Sequence, residues 1–199
     1  MISLTTAIMQ HIALAYSGFL ISAVVGIGGA VLALRWSVLK TVLISASSLL
    51  QSIPAFTIVA LVVPFLGIGF IPAVVVVIVT TLLPVLRNAT IGLSTTDPVL
   101  IDAATGMGLS FSQMIRYVRF PLAIRPIFSG LRLSSIVANS VAVVTVFIGS
   151  GGLGAVVLEG LVRYHMPGIL AGVVPAVIIA LLADLLLGRI EEFLAPQFK

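Results

Sequence analysis

Apolar residues run along this chain in long blocks, separated by short polar or glycine-containing joints. The blocks cover residues 12–34, 38–65, 71–88, 126–148 and 169–187. About 20 apolar residues are needed to cross the ~30 Å hydrocarbon layer of a bilayer as a helix. The block at 71–88 contains the β-branched run VVVVIVTT, which would suggest a strand in water. Its length and unbroken apolarity predict a membrane helix instead. The first half of the second block, VLISASSLLQSI, is unusually polar, and Pro54 predicts a kink there. Polar side chains can satisfy the backbone groups that a proline frees. A kink for packing and a gating element are both open readings of that block. Pro84 predicts a bend in the third block, and the uncharged link LGIGFIP predicts a tight joint before it.

Small residues mark two contact faces. In the first block they are Ala23, Gly26, Gly29 or Ala30, and Ala33; in the fourth they are Gly130, Ser134, Ala138 and Ala142. Such spacing lets two helices approach closely in lipid. The run GSGGLG at 149–154 is followed by no Lys-Ser/Thr pair, so it predicts a tight re-entry or turn rather than a phosphate loop. A short amphipathic piece is expected at 153–164. The fold class that follows is all-α: one polytopic membrane helix bundle of about five transmembrane helices, taking in residues 1–199 as a single domain.

Composition agrees. Of 199 residues 60% are hydrophobic and only 8% charged, and mean hydropathy is +1.32. A soluble domain carries about 25% charged residues, so most of this surface must face lipid. The net charge of +4 does not signal nucleic acid, because the basic residues are scattered at the ends of apolar runs. The absence of cysteine excludes disulfides and thiolate metal sites. His11 and His165 are far apart and read as interfacial residues rather than ligands. The first block lacks a preceding basic residue and is long, which predicts a span rather than a cleaved leader.

The stretch 97–121, DPVLIDAATGMGLSFSQMIRYVRFP, is the longest without a membrane-compatible run. Asp97 and Pro98 predict a helix start. Gly106 and Gly108 allow the chain to leave that helix with positive φ. Ser110 and Gln113 predict a capping box. Arg116 and Arg119 then suit the last turn of a second helix, which Phe120-Pro121 is expected to end. Within it Asp102, Ala103, Ala104, Gly108, Val118 and Pro121 follow the spacing of the EAA loop, E-A-A-x3-G-x9-I-x-L-P, with Asp102 for Glu, Val118 for Ile and Phe120 for Leu. On these residues the chain resembles the permeases of type I ABC importers. Gln51-Ser-Ile-Pro54, Leu66-Gly-Ile-Gly69, Leu83-Pro-Val-Leu-Arg-Asn88, Gly106-Met-Gly108 and the 149–154 glycine run resemble the osmoprotectant branch, which imports glycine betaine, choline or carnitine.

The resemblance implies a cytoplasmic coupling helix gripped by an ATP-hydrolysing subunit, with Asp102, Ala103, Ala104, Gly106, Gly108 and Pro121 as coupling residues. It implies a second permease subunit and an extracytoplasmic substrate-binding protein. The chain itself shows no catalytic constellation, so it is read as no enzyme and as holding no cofactor, with ATP bound by the partner. Importers of methionine, sulfonates or phosphonates, and an ion-coupled carrier resting on Arg132 and Asp184, stay as alternatives. The positive-inside rule places the N-terminus outside a cell (inner or cytoplasmic) membrane and the C-terminus inside it. Arg35, Lys40, Arg87, Arg116, Arg119, Arg125, Arg189 and Lys199 then lie inside, and Arg163 outside. Arg132, Ser135 and Asn139 share one helix face at spacings of three and four. A polar stripe in a span should avoid lipid, so Ser135 and Asn139 are expected to border the transport path. Arg132 is expected to close its cytoplasmic end, paired with Asp184 or reaching to the membrane surface.

Overall fold

The structure is a computed structural model that describes residues 3–195; Lys199, counted above among the cytoplasmic cations, lies outside them. No strand occurs among the described residues. The elements are α1 (Leu4–Ala33), α2 (Ser37–Leu50), α3 (Ala55–Leu66), α4 (Phe70–Ser94), α5 (Pro98–Gly106), α6 (Phe111–Met114), α7 (Phe120–Val144), α8 (Gly152–Val162) and α9 (Met166–Leu194).

Among the described residues four helices are long and apolar enough to cross a membrane: Leu4–Ala33, Phe70–Ser94, the continuous rod Phe111–Ile148, and Met166–Leu194. The second block is not a kinked helix but two separate ones. Pro54 stands as the N-cap of α3, and Gln51 caps the end of α2. At 1.5 Å rise per residue α2 and α3 are about 21 Å and about 18 Å long, so neither crosses the bilayer alone.

The core is α1, α4 and α7. Glycines and small polar residues let their backbones meet. A Cβ at Gly18 would sit 2.6 Å from Val77 Cγ1, and one at Gly130 would sit 2.8 Å from Asn88 Cβ. Hydroxyls cross the same seams: Ser22 Oγ donates to the Ile78 carbonyl at 3.0 Å, and Ser134 Oγ donates to the Thr81 carbonyl at 2.7 Å. The small-residue stripe of α7 thus lies against α4, with Gly130, Ser134, Ala138 and Ala142 all buried.

Two joints differ from expectation. Phe120-Pro121 does not end a helix. A π-helical turn at Ile115–Arg119 carries α6 into α7, and the Phe120 N–H bonds the Ile115 carbonyl five residues back. A π turn takes up an extra residue and is a recognised way to pass an irregularity within a helix. Arg116 and Arg119 therefore lie inside a rod, not in a last turn. Beyond α7, a 3-10 turn (Thr145–Ile148) leads into the glycine run, where Gly149, Gly151 and Gly152 all have positive φ. The Gly152 N–H donates to Gln10 Oε1 at 3.1 Å, which ties this re-entry to α1. From there α8 turns back and packs on the start of α9. A Cβ at Gly172 of α9 would meet Val157 Cγ2 at 2.6 Å.

Candidate coupling elbow and transport path

Residues 97–110 form a compact elbow between α4 and the long rod. The Asp97 side chain accepts from the Val99 N–H at 2.9 Å, and Pro98 takes the first helical position, where its missing N–H costs nothing. Gly108 carries the turn at φ +77, whereas Gly106 is the last helical residue of α5 and has no positive φ. The Leu109 N–H bonds the Ala104 carbonyl across the bend. Ser110 and Gln113 then close a reciprocal capping box. Two arginines fasten the elbow to the bundle. Arg119 Nη1 donates to the Leu93 carbonyl at 2.8 Å, satisfying one of the open carbonyls at the end of α4. The Arg35 guanidinium, at the α1–α2 corner, lies 4.8 Å over the Phe111 ring.

Burial separates the expected coupling residues. Asp102, Ala103, Gly106 and Gly108 are exposed, Pro121 is half-buried in the rod, and Ala104 is buried at 2% exposure. Ala103 and Ala104 therefore differ: Ala104 is covered within the subunit and Ala103 is exposed. Val99, Met107 and Tyr117 stand exposed beside them.

Inside the spans, Arg132 and Asp184 meet. Arg132 Nε donates to Asp184 Oδ1 at 2.7 Å and Nη2 to Oδ2 at 2.9 Å, and Nη1 lies 3.6 Å from Glu191 Oε2. This two-point geometry is the strongest arrangement open to a guanidinium and a carboxylate. It fastens α7 to α9. Ser135 and Asn139 lie further along the same face but inside the subunit, at 0% and 3% exposure, and Asn139 borders a cavity of about 300 Å³ between α7, α8 and α9. Asn139 Nδ2 instead donates to Tyr16 Oη at 2.9 Å on α1 and to the Ser135 carbonyl at 2.9 Å.

His11, expected to be interfacial, is instead fully buried within α1, with its ring beside Asn139. His165 caps α9 by accepting from the Gly168 N–H at 3.1 Å. No group of three His, Asp or Glu side chains suited to a metal ion occurs among the described residues.

Residues 6–199 match the family described as "Binding-protein-dependent transport system inner membrane component". The chain belongs to this family. It is the membrane permease of an ABC importer. The chain is 35% identical over 188 residues to "Carnitine transport permease protein OpuCB" of Listeria monocytogenes, covering 94% of this chain and 86% of that one. It is 32% identical over 199 residues to "Osmoprotectant import permease protein OsmW" of Salmonella typhimurium, covering 98% and 93%. It is also 31% identical to "Choline transport system permease protein OpuBB" of Bacillus subtilis, over 94% and 86%. Its fold is similar to a chain of the MetNI methionine ABC transporter in an inward-facing conformation. The TM-score is 0.81 at 20% identity, with 95% and 94% of the two chains covered.

Proposed function

We propose that this permease carries small quaternary amines such as glycine betaine, carnitine or choline. It works as half of a permease pair, with a cytoplasmic ABC ATPase on each elbow and an extracytoplasmic binding protein on the opposite face. All ATP is bound and hydrolysed by the ATPase. The substrate class rests on the relatives, which are named for osmoprotectants, carnitine and choline. The coupling role rests on one observation in this chain: an exposed patch of Val99, Ala103, Gly106 and Met107 on a capped, rigid elbow that continues through an unbroken 38-residue helix. Force applied at the elbow is delivered along that rod.

The whole chain acts as one transmembrane domain in the cell membrane, with the N-terminus outside and the elbow and C-terminus cytoplasmic. Arg35, Arg116, Arg119 and Arg125 gather at the elbow end of the bundle, and Arg163, paired with Glu159 at 2.9 Å, sits at the other. Asp102 and Ala103 contact the ATPase, Ala104 and Gly108 shape the elbow that does so, and Pro121 sets the phase of the rod. The Arg132–Asp184 pair keeps α7 and α9 together in the cytoplasmic half. Its mutual neutralisation argues against an ion-coupled carrier, which would need those groups free.

The test is Gly108→Val in the complete transporter with its ATPase and binding protein. A Cβ at Gly108 meets nothing within 4 Å, so only the backbone at φ +77 is penalised. The expected outcome is normal membrane insertion, at least tenfold weaker retention of ATPase, and loss of labelled glycine betaine, carnitine and choline uptake. Normal ATPase retention would remove the elbow from the coupling role. In intact cells Ser3→Cys should label with an impermeant thiol reagent and Ser112→Cys should not; the reverse would invert the topology.

A further inference from the structure

The most unusual place in the bundle is the interruption between α2 and α3. A cavity of about 400 Å³ opens there, lined by Gln51 and Pro54 from the break, Thr80 and Pro84 from α4, and Leu133 and Val137 from α7. Its depth follows from its walls. Thr80 and Pro84 lie either side of the middle of α4 (Phe70–Ser94), and Val137 lies at the middle of the apolar block 126–148 that holds α7. The break is therefore near the centre of the membrane.

At that depth the polar groups are out of place if the face meets lipid. Gln51 and Ser52 are exposed. The Gln51 side-chain amide makes no hydrogen bond among the described residues, although its backbone N–H bonds the Ser47 carbonyl, and no side chain caps the start of α3. Pro84 lacks the N–H that would bond the Thr80 carbonyl four residues back, which adds an open acceptor to the same cavity. Irregular backbone at membrane depth is tolerated only where it is buried in protein or lines a watery cavity. On α9, by contrast, Leu181, Leu182, Leu185 and Leu186 are all exposed, and Asp184 between them is paired with Arg132.

We propose that the α2–α3 break is the polar wall of the solute path, with Gln51 as its hydrogen-bonding contact. The wall carries no charged side chain. Apolar surface from Ile58, Leu133, Val137 and Val141 suits methyl groups, and the Gln51 amide N–H₂ suits a carboxylate or hydroxyl. The site thus takes a small methylated polar solute without trapping a fixed counter-ion, so the solute can leave. This solute class rests on the function proposed above; the position of the path does not.

The test uses the cysteine-free background. In proteoliposomes holding the permease with its ATPase and binding protein, Ser52→Cys should react with an impermeant methanethiosulfonate at least tenfold faster than Leu182→Cys on the lipid face. Turnover with saturating solute should slow the reaction. Gln51→Leu should lower uptake at least fivefold while ATPase retention and ATP hydrolysis persist, and Gln51→Asn should recover part of the uptake. Equal rates at the two cysteines would overturn the proposal. So would slow modification of Ser52→Cys with disulfide formation between two permease copies, which would make this face a subunit contact. Wild-type uptake by Gln51→Leu would remove its contact role. Failure of the unmodified transporter to take up any quaternary amine would overturn the substrate reading, and the cysteine rates would still decide the position of the path.

Discussion

Two prolines interrupt this bundle with opposite results. At Pro54 the chain breaks, leaving two short helices and open polar groups at mid-depth. At Pro121 the helix passes through, and α6 runs by way of the π turn into α7 as one rod. The proline is the same; its surroundings differ. Before Pro121 the helix widens to a π turn. Around that turn Arg119 is held on the Leu93 carbonyl, and Met114 is buried. Packing thus holds a continuous helix against the proline. Before Pro54, Gln51 and Ser52 are exposed, and Ser52 Oγ bonds back to the Ser48 carbonyl at 3.4 Å. A hydroxyl bonded back to its own helix gives no support across the gap. On the proposed function, Pro121 sits where motion is transmitted and Pro54 where a solute passes.

The largest effect is expected at the break. Proline inside a helix costs about 3 kcal/mol relative to a good helix former. Pro54→Ala should therefore favour a continuous α2–α3 helix, closing the open groups within the backbone ladder. We expect uptake to fall at least tenfold, with normal amounts of permease and bound ATPase, and Ser52→Cys to lose its reactivity in the Pro54→Ala background. Unchanged uptake would show that the break is incidental packing.

Pro121→Ala should have a smaller effect of a different kind. The alanine N–H can bond the Tyr117 carbonyl and draw the π turn back to α-helix. Losing one residue of bulge rotates everything before it by about 100° relative to α7, at 3.6 residues per turn. Arg119 then leaves Leu93, and the elbow turns away from its partner. The expected outcome is a three- to tenfold loss of ATPase coupling with little change in Ser52→Cys reactivity. Equal effects of the two proline substitutions on both readouts would erase the distinction between a transmitting and a lining proline.

The sequence carried the coarse fold because burial in lipid allows few solutions: apolar runs of sufficient length must be helices. It carried the elbow because caps are local. Asp97, Pro98, Ser110, Gln113 and Gly108 each act within four residues, and each is seen in that role. The fates of Pro54 and Pro121 were not legible, because both depend on contacts distant in the chain, such as Arg119 on Leu93. The same holds for Ala104, whose neighbour Ala103 looks equivalent until the elbow folds back on it. The face bearing Ser135 and Asn139 was legible as non-lipid. What it meets was not, since Tyr16 lies 123 residues from Asn139.

The smallest effect concerns how firmly the rod that passes Pro121 is held once it enters the membrane. Arg132 lies in that rod, and Asp184 and Glu191 lie on α9. The two side chains are 40% and 26% exposed at the subunit surface. Breaking one partner leaves a charge within the span, which is costly even on mild scales. Arg132→Ala and Asp184→Ala should each lower thermal stability, and the double variant should lose less than their sum. Glu191 lies within reach of the freed guanidinium, so Asp184→Ala should be milder than Arg132→Ala. If the pair only anchors the rod, all three variants keep Ser52→Cys reactivity and lose coupled ATP hydrolysis in proportion to stability. Additive losses in the cycle would remove the anchor. A change in Ser52→Cys reactivity without loss of stability would instead place the pair in control of the solute path, and the separation between a rod that transmits and a break that lines would no longer hold.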